Sequence, residues 1–316
     1  MTFIKPKILS PGQKVALVAL SSPVAPRSLD VAADYIRDKG FEPIVPFDPS
    51  EFYQLETHGF SSQSVDVRVN ALHDCLRDDQ IGAILNVRGG YGSMDLLPKI
   101  DFELFQKHPK IFVGFSDNTA VLLAAHKLSS MIVLHGPTAR SLSDQTLDQD
   151  ATDSARVLFK LLSGKTKNPF DAIDLKWTSG AAASAIKGRL VGGNLQMLAS
   201  LSGTKWMPDL AGKILFIEET KEQPYRVDRS LAQLRLAGQL DNLAGVLLGD
   251  FRSCKHPYDL GPSVERVLET FFKDAKYPVY SGLPCGHLGL NYPIPLGIEA
   301  SVSERGEIEF NEEVFA

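Results

Sequence analysis

Cysteine is scarce in these 316 residues, and the three present, Cys75, Cys254 and Cys285, lie far apart. They are too few for a disulfide framework, and no Cys/His spacing of the zinc type accompanies them, so no metal site is expected. Reduced, mostly buried thiols are the expectation. Basic clusters are missing too: 33 Lys and Arg face 38 Asp and Glu, a net charge of −5, with no run of five basic residues. That balance excludes a phosphate-neutralising surface for nucleic acid or anionic lipid. No apolar stretch approaches the roughly 18 residues of a membrane helix. The first residues, Met1-Thr-Phe-Ile-Lys-Pro-Lys7, lack the apolar core of a signal peptide, so a soluble cytoplasmic protein is expected. Repeats with periods of about 20 to 50 residues are absent, which removes solenoids and propellers. With 44% hydrophobic and 22% charged residues, disorder and low complexity are excluded as well.

What is present is an alternation of strand and helix signals over a length that suits one large domain or two of about 150 residues. Lys14–Leu20 is a nearly unbroken apolar run, the pattern of a strand covered on both faces. Ser28–Lys39 has helical spacing, with Asp30 in the first turn and Gly40 as a stop. Strands follow at 41–46, 81–87 and 111–115, with helices at 68–77 and 118–128. This order predicts a mainly parallel, doubly wound α/β sheet whose ligand site lies at the carboxyl ends of the strands. The pattern breaks between about Gly164 and Ser184 in a polar, turn-rich stretch. The expected organisation is an N-terminal α/β domain over 1–165, a connection over 166–185 and a C-terminal domain over 186–316. In the last, strands are expected at 186–191, 213–217, 245–249, 278–281 and 299–303, and helices from Leu195, at 228–237 and at 264–272. Gly192-Gly193-Asn194 reads as a turn.

Val113-Gly-Phe-Ser-Asp-Asn118 is the sharpest local feature. A strand ending at Phe115 and a helix starting at Asp117 or Asn118 leave Ser116 on the tight turn between them, which resembles a nucleophile elbow. The second glycine of a G-x-S-x-G elbow is replaced by Asn118, and simple helix capping by Ser116 or Asp117 explains the same residues. A serine nucleophile needs a base and an orienting carboxylate. Of seven histidines (His58, His73, His108, His126, His135, His256 and His287), His287 is preferred and His135 is second. His287 lies in a Gly- and Pro-rich segment after a strand, as a fixed loop presenting a side chain would be. Glu218 and Glu219 end an apolar strand on opposite faces, so one of them is expected to reach the histidine. Asn86-Val-Arg-Gly-Gly-Tyr-Gly92 also follows a strand, and reads either as an oxyanion or carboxylate cradle or as a tight turn. It is neither a dinucleotide fingerprint nor a P-loop.

Taken together, these segments resemble the LD-carboxypeptidase family, serine peptidases that include the muramoyltetrapeptide carboxypeptidases and the microcin-immunity hydrolases. The likeness spans nearly the whole chain: Gly12–Ser22, Arg68 within residues 65–72, Arg88-Gly-Gly-Tyr-Gly92, Gly114-Phe-Ser-Asp117, Gly188–Leu195, Phe216-Ile-Glu-Glu219, Tyr225-Arg-Val-Asp-Arg229, Gly286-His287 and Pro295-Leu-Gly297. Ser21-Ser22-Pro23 stands where the family more often has Pro-Ser-Ser. The resemblance implies Ser116 as nucleophile, His287 as base, Glu218 as its orienter, and the N–H groups of Gly90 and Asp117 as oxyanion hole. It also implies a smaller C-terminal domain carrying Glu and His, an active site between the domains, a homodimer, and no cofactor. The implied partner is a small peptide, the murein tetrapeptide, cleaved to release its terminal D-alanine; neither nucleic acid nor membrane is involved. Arg88, Gly89 and Tyr91 are expected against the substrate, with Arg88 a candidate for its terminal carboxylate or for a structural ion pair. Tyr225, Asp228 and Arg229 read as capping and ion-pair residues, and Cys285 as a bystander. Two other readings stand beside this one. One is hydrolysis of a peptide-nucleotide antibiotic, with Trp177 stacking on the base; the other is a two-domain binding protein without turnover.

Overall fold

The computed structural model describes residues 3–52, 59–143, 149–256, 258, 261–287 and 289–316. His58 lies outside them.

The first sheet is built from β1 (Lys14–Val18), β2 (Glu42–Ile44), β3 (Ile81–Asn86), β4 (Ile111–Gly114) and β5 (Val133–His135), interleaved with helices α1 (Pro26–Asp38), α2 (Val65–Arg77), α3 (Glu103–Lys107), α4 (Thr119–Ser129), α5 (Ala139–Ser143) and α6 (Gln149–Leu162). All its pairings among these strands are parallel. Parallel strands covered on both faces need apolar residues throughout: Val15, Ala16, Leu17 and Val18 are inaccessible, as are Ile111, Phe112 and Val113. Each such Val, Leu or Ile contributes about 1.5–3 kcal/mol on burial. Helix α1 starts two residues before Ser28, because Pro26 occupies the first-turn position where its missing N–H costs nothing. Asp30 is therefore not in the first turn.

The second sheet contains β6 (Lys176–Gly180), β7 (Ile186–Asn194), β8 (Ile214–Glu218), β9 (Gly245–Leu248) and β10 (Pro278–Ser281), with helices α7 (Leu195–Leu201), α8 (Pro224–Leu236) and α9 (Val264–Phe272). Of the last three strands, β11 (Ile294–Leu296) pairs antiparallel with β5 in the first sheet, while β12 (Glu299–Val302) and β13 (Ile308–Phe310) return to the second. The resulting orders are β11-β5-β4-β3-β1-β2 and β13-β12-β7-β8-β9-β10-β6.

Two local readings change. Strand β6 falls inside the 166–185 stretch expected to be a connection; it is an edge strand paired only with β10, with Lys176 and Trp177 exposed, so no buried face imposed an apolar pattern. Gly192-Gly193-Asn194 is not a turn but the end of β7, parallel to Phe216, Ile217 and Glu218 of β8. The glycines allow close approach: a Cβ on Gly193 (φ 145°) would stand 2.5 Å from Thr119 Cγ2. They bring Asn194 beside Glu218.

Candidate active site

Strand β4 delivers the chain to Phe115, and Ser116 follows with φ 62° at the head of a short 3-10 turn that runs into α4. A left-handed serine costs roughly 1–2 kcal/mol, which its surroundings must offset. They do so by contact and hydrogen bonding. Gly114 lets the helix cross, since a Cβ there would be 2.8 Å from Asn118 Cβ. Gly89 lies flat against the serine, with room for no Cβ: one would be 2.7 Å from Ser116 Cβ. The Asp117 carboxylate accepts from Ser21 Oγ (2.6 Å) and from the Ser93 N–H (2.9 Å), while Ser93 Oγ donates to the Asp117 carbonyl (2.6 Å). Buried Arg68 reaches both sides of this unit, its Nη1 donating to the carbonyls of Leu20 (2.7 Å) and Gly92 (2.9 Å). Ser22 Oγ donates to the Phe60 carbonyl (2.6 Å) and accepts from the Tyr91 N–H (3.0 Å). The 88–92 loop and the serine turn are thus one braced assembly. Sequence reasoning quoted Ser21, Ser22 and Arg68 within motifs but gave them no role, and it overlooked Ser93.

His287 reaches the serine from the segment after β10. Its Nε2 lies 3.0 Å from Ser116 Oγ and its Nδ1 2.7 Å from Glu218 Oε2. The carboxylate only accepts, so Nδ1 carries the hydrogen and Nε2 presents its lone pair to the hydroxyl. Glu218 is inaccessible, and the imidazole is 19% exposed. Gly286 permits this approach because a side chain there would meet the Asp250 backbone. Glu219 turns away from the imidazole and bonds to Asn194, Gln196 and Thr220.

The other described histidines have different surroundings. His73 Nε2 accepts from the Asp101 N–H, and His126 stacks on Phe3 with its Nδ1 3.1 Å from the Met131 carbonyl. His108 faces Asp79, and His256 accepts from the Tyr258 N–H. His135 is fully buried, its Nδ1 3.4 Å from Cys285 Sγ and its ring edge-on to Phe115 and Phe216. Burial pulls His126 and His135 each down to about 4 and holds the Cys285 thiol well above its ordinary value.

A cleft of ≈ 490 Å³ opens over Ser116 and His287. Arg88, Gly89 and Gly90 form part of its lining, as do Arg140, Lys221 and Ser253, so its formal charges are positive. Neither the Gly90 nor the Asp117 N–H is taken by an acceptor among the described residues. Tyr91 does not line the cleft: it is 60% exposed and packs edge-on against Phe60, because its backbone is tied to Ser22. Trp177 is also outside it, donating to the Ala181 carbonyl at the sheet edge. On α8 the ion pair is Arg226–Glu222, and Tyr225 carries the Arg229 guanidinium 5.2 Å above its ring; Asp228 makes no ion pair among the described residues. A cavity of ≈ 510 Å³ lined by Leu248, Leu268, Leu283 and Cys285 contains neither the hydroxyl nor the imidazole. No helix among the described residues is long and apolar enough to cross a membrane.

Residues 15–136 match the LD-carboxypeptidase N-terminal domain and residues 187–302 the LD-carboxypeptidase C-terminal domain. The probable murein peptide carboxypeptidase of Bacillus subtilis is 35% identical over 302 residues, 95% of this chain and 91% of that protein. Among solved structures, the muramoyltetrapeptide carboxypeptidase of Oxalobacter formigenes superposes with a TM-score of 0.79 at 28% identity, over 93% of this chain and 96% of that one. The wild-type microcin C7 self-immunity protein MccF superposes at 0.86 with 21% identity, over 99% of this chain and 100% of that one, a likeness of fold. With both halves matched in order, the chain belongs to the LD-carboxypeptidase family of serine peptidases and is a hydrolase.

Proposed function

We propose that this hydrolase cleaves the L,D-peptide bond that releases terminal D-alanine from murein tetrapeptides. The observation that carries the reading is the unbroken hydrogen-bonded chain from Ser116 Oγ through His287 to buried Glu218, opening onto a cleft lined by Arg88, Arg140 and Lys221. In this mechanism His287 Nε2 takes the serine proton as Oγ attacks the scissile carbonyl. The oxyanion that forms is met by the N–H groups of Gly90 and Asp117, each worth ~10²–10³ in rate. His287 then protonates the departing amine of D-alanine, the acyl-serine forms, and water activated by the same imidazole hydrolyses it. Glu218 keeps the hydrogen on Nδ1 and stabilises the imidazolium. A substrate ending in a carboxylate suits a cationic cleft, with Arg88 and Gly89 on its wall.

The domain reading belongs to the same proposal: 1–165 supplies Ser116, 166–185 connects, and 186–316 supplies Glu218 and His287, with the cleft between. Assembly as a homodimer and a cytoplasmic site of action complete it; sedimentation and cell fractionation test them. The decisive assay incubates purified protein with murein tetrapeptide and measures free D-alanine. Release that disappears in Ser116→Ala supports the reading, and no release by the wild-type chain overturns it.

The likeness of fold to MccF favours a second reading, hydrolysis of a peptide-nucleotide antibiotic. Trp177, the aromatic side chain expected to stack on a nucleobase, lies outside the cleft lining, which argues against it. Cleavage of an aminoacyl-nucleotide conjugate in preference to tetrapeptide would reverse that order.

A further inference from the structure

Glu219 follows the carboxylate that faces His287, and the hydrolysis described above makes no use of it. It is 5% exposed, and a buried carboxyl is costly unless its surroundings compensate. Its Oε1 accepts from the Asn194 side-chain amide (2.9 Å) and the Thr220 N–H (2.8 Å), and its Oε2 accepts from the Gln196 N–H (2.9 Å) in the first turn of α7. All three partners are donors, a set that suits a carboxylate and offers no acceptor to a neutral acid. The same Asn194 Nδ2 lies 3.3 Å from Glu218 Oε1, the oxygen that His287 leaves open. One amide nitrogen with two hydrogens therefore spans two adjacent buried carboxylates. Asn194 is itself held in place: its Oδ1 accepts from the Met197 N–H (3.2 Å), and its N–H donates to Thr119 Oγ1 (3.2 Å), at the start of the helix that follows Ser116.

We infer that Glu219 is a positioning residue for the hydrolysis, acting through Asn194 to hold the Glu218 carboxylate toward His287 and adding a second negative charge behind the imidazolium. The inference rests on His287 being the base. Burial first, and then the Glu218 charge, push the Glu219 carboxyl up to about 7, where an imidazole also titrates. The titratable groups facing it are Glu218 on β8, with His287 beyond it, and Cys254 from the segment after β9. The Cys254 thiol, pushed up to about 12, stays neutral throughout this range; Asn194 from β7 and Gln196 from α7 are uncharged. As pH rises through 7, Glu219 gains its charge.

The test is the NMR resonance of the His287 Nδ1 proton, assigned with His287→Gln, in the wild-type and Glu219→Gln chains, with kcat and KM measured alongside. In Glu219→Gln that resonance should move upfield, because the Nδ1–H···Glu218 hydrogen bond weakens once its acceptor is no longer held through Asn194. Tetrapeptide turnover should fall ~10-fold in kcat with KM changed less than about 2-fold. An unmoved Nδ1 proton resonance overturns the inference, whatever happens to kcat or to melting temperature. Where Glu219→Gln does not fold, Asn194→Ser is read by the same criterion: serine keeps a good cap for α7 but has one hydrogen for two carboxylates. The resonance needs no turnover, so absence of D-alanine release by the wild-type chain counts against the peptidase reading alone.

Discussion

The imidazole of His287 rests on the ring of Phe115, with centroids 4.3 Å apart and planes tilted by 41°. On its other side Phe115 meets His135 edge-on at 5.2 Å. The residue before the serine therefore packs against the histidine that faces it, an aromatic contact that links the backbone turn to the imidazole. A disturbance of β4 would move the hydroxyl and the imidazole together.

Ser116→Ala should lower tetrapeptide turnover by ~10⁴–10⁶-fold, since loss of a serine nucleophile removes the covalent route. Ser116→Gly should be equally inactive yet more stable than the alanine variant by about 1 kcal/mol, because glycine adopts φ 62° freely. Urea unfolding of the two variants compares them directly, and equal midpoints would mean the turn holds no strain.

At Gly90 (φ +116°) an added Cβ would overlap Ser22 Oγ and stand 2.6 Å from Ser22 Cβ. Gly90→Ala should displace the 88–92 loop and its open N–H, costing ~10²–10³ in kcat. Stopped assays at saturating substrate read this; a kcat near that of wild type would remove Gly90 from the oxyanion hole.

Cys285 is inaccessible and its thiol is held well above its ordinary value, first by burial and then by the charges of Glu218 and Asp250. Iodoacetamide should leave the native enzyme active, and Cys285→Ala should keep kcat within about 3-fold, as expected for an unreactive buried thiol. Rapid inactivation by alkylation would restore a chemical role for it.

Stability should decline on acidification from about pH 6.5. His126 and His135 hold pKa values of about 4 when folded, against 6.5 when exposed, so between those limits the unfolded chain binds more protons. Each contributes ~3 kcal/mol that is intact above pH 6.5 and lost by about pH 4. Glu219, raised to about 7, acts in the opposite sense: its folded form binds the extra proton between about 4.5 and 7, so its contribution is lost as pH rises through 7. Among these three groups, two protons against one leave a slope of roughly 1.4 kcal/mol per pH unit between about 4.5 and 6.5, and His73, also pulled down by burial, adds to it in the same sense as the other histidines. His126→Gln removes one histidine contribution, and urea titrations across this range should show a slope smaller by roughly 1.4 kcal/mol per pH unit.

The apolar runs at Lys14–Val18, Ile81–Asn86 and Ile111–Gly114 were legible because strands buried on both faces admit little else. The turn at Ser116 was legible for a local reason, a strand and a helix abutting around Gly114. Strand β6 was not, since its partner β10 lies about a hundred residues away and supplies no pattern to the edge. Gly192 and Gly193 looked like a turn because their need for glycine arises from β8 and α4, remote in sequence. Alternation along β8 separated Glu218 from Glu219 but left open which one faced His287; that depends on where the segment after β10 passes. Tyr91 faces Phe60 rather than the cleft, a direction set by the Ser22 contact of its backbone and not by its neighbours in sequence.

Strand β11 sits in the first sheet while β10 and β12 sit in the second, so the polypeptide carrying His287 is strung between two separately anchored layers. Ser116 belongs to one layer and Glu218 to the other. Sliding one layer over the other by even an ångström would pull the ring off the hydroxyl or off the acid, so the hydrogen-bonded chain of the three side chains depends on the alignment of the sheets. On the proposed mechanism, substitutions far from the cleft, along the contact of β11 with β5, would then lower turnover without touching Ser116, His287 or Glu218.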